Sequence, residues 1–141
     1  MAEHDGDAAI RHQDGVDVYD LLLGHVPEHV ERRWALEAAA GRARTGAALE
    51  ALRKQVIVHS PLGPQRLQLV QFGQLLVLER EPEATRHAQA ARRAGASLEE
   101  LAGVVESGLL TGGIAVYSLG LRILDRLRAD GLFDTGSDTA A

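Results

Sequence analysis

An all-α domain of about six helices is what this sequence predicts, from three observations. Apolar residues recur at three- and four-residue steps along most of the chain. Helix signals bracket those stretches: Pro82 and Ser97 near starts, and Gly24, Gly95 and Gly112-Gly113 at stops. The chain is 45% hydrophobic, yet Trp 1, Tyr 2 and Phe 2 are its only aromatics. A core of Leu, Val, Ile and Ala suits packed helices, and 141 residues can bury one. The expected organisation is a disordered arm over 1–15, a single helical domain over 16–130 and a loose tail over 131–141.

Taken in order, the arm is polar, with His4, Asp5, Asp7, His12 and Asp14. A short helix over 16–23 carries Val18, Tyr19, Leu22 and Leu23 and stops at Gly24. The run His25-Val26-Pro27-Glu28-His29 spells an inverted zinc-protease pattern. That chemistry needs both histidines on one helix, and Pro27 instead starts a helix that leaves His25 outside. This helix runs to about Ala40, with Trp34 as its apolar anchor. Residues 41–46 form a basic turn, and 47–58 a helix with Leu49, Leu52, Val56 and Ala48 expected inward. Pro61 and Pro64 break the chain before a central helix over 65–79.

That helix is apolar on most sides, as a helix buried among others would be. The exceptions are Gln68, Gln71 and Gln74, a narrow polar stripe that demands partners. Residues 80–113 then read as a helical hairpin. Ala84, Ala88 and Ala91 give its first helix a small-residue face, and Gly95 ends it. Ser97 and Glu100 form a capping box for the second, whose apolar face holds Leu98, Leu101, Val105 and Leu109. A last helix over 114–127 carries Val116, Tyr117, Leu121 and Leu124, with Gly120 permitting close contact.

Composition excludes several functions. A net charge of −5 argues against nucleic acid, whose phosphates need a basic patch. No apolar run is long enough to span a membrane. The acidic start lacks the basic region of a signal peptide, so the cytoplasm is the expected location. Without cysteine there is no disulfide, thiolate metal site or thiol redox chemistry. No metal site is expected from the remaining His and acidic residues.

The strongest chemical signal is on the hairpin's first helix. Arg80, Glu83 and His87 are spaced by three and four residues, so they share one face. A cation, an acid and an imidazole side by side can bind an anion and move a proton. The same stripe also suits a merely solvated face.

This run resembles the carboxymuconolactone decarboxylase family and its alkyl hydroperoxidase D-like relatives. The shared pattern is His87, Ala91, the corner Gly95-Ala96-Ser97, the pair Glu99-Glu100 and the stop Gly112-Gly113. The peroxidase branch carries Cys-x-x-Cys before its histidine, and those positions here are Arg80 and Glu83. Arg80-Glu81-Pro82-Glu83 is similar to the decarboxylase run, while the family's Gly-x-Pro is Gly113-Ile114-Ala115 here. The peroxidase branch also has a relay glutamate where this chain has Gln68. The resemblance implies an alkyl hydroperoxidase D-like helical fold, assembled as a trimer or hexamer.

Three readings follow. The first is a cofactor-free lyase, a decarboxylase, or an isomerase acting on a small carboxylated or lactone-like substrate. His87 would be the acid or base, Glu83 its charge partner, Arg80 the carboxylate clamp, and Gln68 and Gln71 the positioning amides. The second is a catalytically silent oligomeric binding member. The third, ranked below both, is a peroxide-defence protein that is not a thiol peroxidase.

Overall fold

The computed structural model describes residues 3–134, with side chains from His12 onward. Among the described residues there are seven helices and no strand: α1 (Glu3–Leu23), α2 (Glu28–Ala39), α3 (Ala43–Val58), α4 (Gly63–Val77), α5 (Glu81–Arg93), α6 (Leu98–Gly112) and α7 (Ile114–Ala129). The all-helical expectation holds. The chain resolves into two compact units, Met1–Gly63 and Pro64–Ala141, where the sequence suggests a single domain over 16–130.

In the first unit α1 packs along α3. Val18, Tyr19 and Leu22 of α1 and Val30 and Trp34 of α2 are buried. Pro27 is the N-cap of α2 in extended geometry, so His25 precedes the helix as the proline predicts. Helix α1 starts at Glu3, so helix replaces most of the expected arm; only Met1 and Ala2 lie outside the described residues. Asp14 and Asp17 explain part of this, because both meet Lys54 of α3, at 3.4 and 2.8 Å. The Lys54 bond holds the Asp17 carboxyl below its usual range, and Asp17 in turn raises the Lys54 ammonium above its own.

Helix α3 corrects the sequence expectation. Ala48, Leu49, Leu52 and Val56 are exposed, not inward. The buried side of α3 carries Gly46 and the carboxylate of Glu50 instead. Glu50 Oε1 accepts from Arg33 Nη2 and from Trp34 Nε1 (3.2 Å), and its Oε2 accepts from Arg53 Nη1 at 2.9 Å. The Arg53 guanidinium also lies 4.8 Å over the Tyr19 ring. Saturating a buried carboxylate with donors removes most of its desolvation cost. The helix turns this polar side inward because its partners wait there.

The second unit has an aliphatic core. Phe72 and Leu76 of α4, the small face Ala84, Ala88 and Ala91 of α5, Leu101 and Val105 of α6, and Ile123 of α7 are buried together. Burying each large side chain contributes about 1.5–3 kcal/mol. Helices α6 and α7 approach so closely at Gly120 that a Cβ there would stand 2.6 Å from Val105. Ser97 caps α6 as expected: its Oγ accepts from Glu100 N at 3.0 Å, and Glu100 Oε1 accepts from Ser97 N at 3.1 Å.

The expected loose tail is partly packed. Leu132 N donates back to Leu127 O at 3.0 Å, which folds Leu132 and Phe133 onto the core. Arg92 lies 5.5 Å over the Phe133 ring. Residues 135–141 of that tail lie outside the described residues. Among the described residues no helix is long and apolar enough to cross a membrane.

Candidate functional site

The site is set by the corner between α4 and α5. Glu79 N donates to Leu76 O at 2.9 Å and Arg80 N to Leu75 O at 3.0 Å, which closes α4 with a left-handed residue. That residue is Glu79, at φ 57, the one non-glycine with positive φ among the described residues. The corresponding turn after α5 has the same bonds, from Gly95 N to Arg92 O and Ala96 N to Ala91 O, both 2.9 Å, but uses glycine at φ 105. A side chain in this conformation costs about 1–2 kcal/mol. Glu79→Gly is therefore expected to stabilise the fold by about 1 kcal/mol, raising the thermal midpoint by a few degrees. A lower midpoint would show that the Glu79 side chain contributes more than its backbone costs.

This corner brings α4 beside α5. Gln68 on α4 is buried, and its Oε1 lies 2.6 Å from His87 Nδ1 on α5, nineteen residues later in the chain. The His87 ring is half-buried. Gln68 is thus held against the imidazole. The oxygen of an amide only accepts, so this contact is a hydrogen bond in the tautomer that carries its proton on Nδ1.

The other stripe residues distribute as follows. Arg80 is the exposed N-cap residue of α5. Glu83, half-buried one turn before His87, has Oε1 3.9 Å from Arg86 Nη2. Gln71 is half-buried, and its Nε2 donates to Gln74 Oε1 at 3.2 Å. The glutamine stripe therefore splits: Gln68 serves the imidazole, while Gln71 and Gln74 bond each other.

Two of the hollows in this unit flank α4 and α5. The larger, about 680 Å³, is a groove between α4 and α6, lined by Leu69, Val70, Gly73, Gln74, Val77, Leu78, Val104, Ser107, Gly108 and Thr111. None of these carries a charge. It corrects the expectation of a central helix covered on most sides, since Val70 and Val77 are exposed. The sequence reading missed its α6 wall. A glycine on each of two apolar helices, Gly73 and Gly108, both lining the groove, is the signal that could have found it. The smaller, about 520 Å³, is lined by Glu81, Pro82, Thr85, Arg86 and Arg126, with Arg126 Nη1 3.5 Å from Glu81 Oε1. His87 lines neither hollow. Among the described residues no group of three His or acidic side chains is placed to hold a metal ion.

No curated protein and no solved structure matches the chain significantly. The model of the carboxymuconolactone decarboxylase family does match, over residues 43–126, from the start of α3 into α7 and across both Gln68 and His87. That span is more than half of the 141 residues, and the chain belongs to the carboxymuconolactone decarboxylase family.

Proposed function

We propose that this protein is a cofactor-free lyase, a decarboxylase, or an isomerase that moves a proton next to a carbonyl in a small carboxylated or lactone-like substrate. The observation that carries this reading is the 2.6 Å contact between Gln68 Oε1 and His87 Nδ1. It sets a buried amide against an imidazole on the family-matched segment, and imidazole works in both directions near neutral pH. In an isomerisation His87 Nε2 takes the proton from the carbon beside the carbonyl and returns it at another position. In a decarboxylation the electrons of the breaking C–C bond enter the enolate, carbon dioxide leaves, and the ring, first protonated from solvent, gives that proton to carbon. The exposed guanidinium of Arg80 suits a forked pair of bonds to a substrate carboxylate. Glu83 is the proposed charge partner of the site, one turn before His87, and Gln71 a proposed contact to substrate.

A homo-oligomer is part of the same proposal, a trimer or hexamer as the family resemblance implies. Its support is the uncharged groove between α4 and α6, together with the strong exposure of Leu110 and Ile114. The binding-only reading is favoured by one observation: the group behind the imidazole is an amide, which carries no proton at neutral pH. Peroxide defence ranks last, because this sequence contains no cysteine to cycle electrons.

The test is a panel of small β-keto acids and unsaturated lactone carboxylates, with product formation followed for the wild type and assembly read by light scattering. Turnover of at least one member by a closed oligomer is expected. No turnover across the panel favours the binding reading.

A further inference from the structure

We propose that Gln68 is a positioning residue that locks His87 in its Nδ1–H tautomer and so assigns the acid–base atom to Nε2. Free histidine side chains in water prefer the opposite tautomer, with the proton on Nε2. Holding it on Nδ1 requires a fixed acceptor facing that nitrogen.

Gln68 meets this requirement in three ways. It is buried within α4 next to Leu67 and one turn from Phe72, both buried, so its side chain is held by the core. Its oxygen stands 2.6 Å from Nδ1, shorter than the usual N–H···O range of about 2.7–3.2 Å. Its amide is neutral, so it orients the ring without placing a charge beside it. A glutamate here would fix the same tautomer and would also stabilise the imidazolium. Gln68 separates those two effects and keeps only the first. The role in catalysis rests on the lyase or isomerase reading above, whereas the tautomer does not.

The experiment is a long-range proton–nitrogen correlation spectrum of the ¹⁵N-labelled full chain, recorded where the ring is neutral. The His87 signals are assigned among the six histidines by their loss in His87→Ala. The expected wild-type pattern is a protonated, pyrrole-like Nδ1 and an unprotonated, pyridine-like Nε2. Gln68→Met keeps the length and removes the acceptor, and its pattern is expected to move toward Nε2–H. Gln68→Glu restores an acceptor and is expected to restore Nδ1–H. A wild-type ring with its proton on Nε2 overturns the proposal, because the amide would then be donating through its nitrogen. An unchanged tautomer in a folded Gln68→Met overturns it too. If Gln68→Met does not fold, the wild-type and Gln68→Glu spectra decide. None of these readouts needs a substrate, so a protein that turns nothing over can still show the lock.

Discussion

Replacing His87 with alanine is expected to lower kcat/KM by roughly 10²–10⁴ on whichever substrate the wild type turns over, the range that a positioned acid–base group supplies. At about 1.36 kcal/mol per tenfold, that is about 3–5 kcal/mol of barrier. The scaffold should survive the change, because the buried small face of α5 is made by Ala84, Ala88 and Ala91 and not by the half-buried ring. One cost is local. Gln68 is buried and loses its 2.6 Å partner, which should reduce stability by about 1–3 kcal/mol. Steady-state kinetics beside a thermal melt separates the two effects. A variant that retains wild-type turnover would remove His87 from the chemistry.

Glu50→Ala should have the largest effect on folding. Its carboxylate is fully buried and answers three donors, from Arg33, Trp34 and Arg53. Breaking a buried pair by removing one partner costs about 3–5 kcal/mol. The arginine side chains retain 37% and 25% exposure and can recover some water, so the lower end of that range is expected. Glu50→Gln keeps one accepting oxygen and should lose less. Chemical denaturation, followed by the fluorescence of Trp34 in the same unit, reads both. An Ala variant within about 0.5 kcal/mol of wild type would reduce the network to a surface ornament.

The two helical pieces differ in how much of them can be read from the chain. The α5–α6 hairpin is written locally: Pro82 sits in the first turn of α5, Gly95 turns the chain after it, and Ser97 and Glu100 cap α6, each in the structure as the chain implies. Helix α3 is not written locally. Leu49, Leu52 and Val56 do share a face, but periodicity says which residues lie together and not what lies opposite. Its buried side is chosen by Arg33 and Trp34, seventeen and sixteen residues before Glu50. The start of α1 was hidden for a similar reason, since the carboxylates of Asp14 and Asp17 look solvated until Lys54, about forty residues on, is known to meet them. The left-handed Glu79 leaves no trace in composition, because glycine is the residue that announces such a turn.

The site was legible as two stripes and not as a contact. Spacing put Arg80, Glu83 and His87 on one side of α5, and Gln68, Gln71 and Gln74 on one side of α4. Only the corner at Glu79 decides that Gln68 reaches the imidazole while Gln71 turns to Gln74.

Proton transfer at His87 is read most directly by proton NMR of the same keto acids and lactones in deuterated buffer. Wild-type protein is predicted to place deuterium on the carbon beside the carbonyl faster than buffer alone, and His87→Ala to fall back to the buffer rate. Equal deuterium incorporation by the two proteins would contradict it.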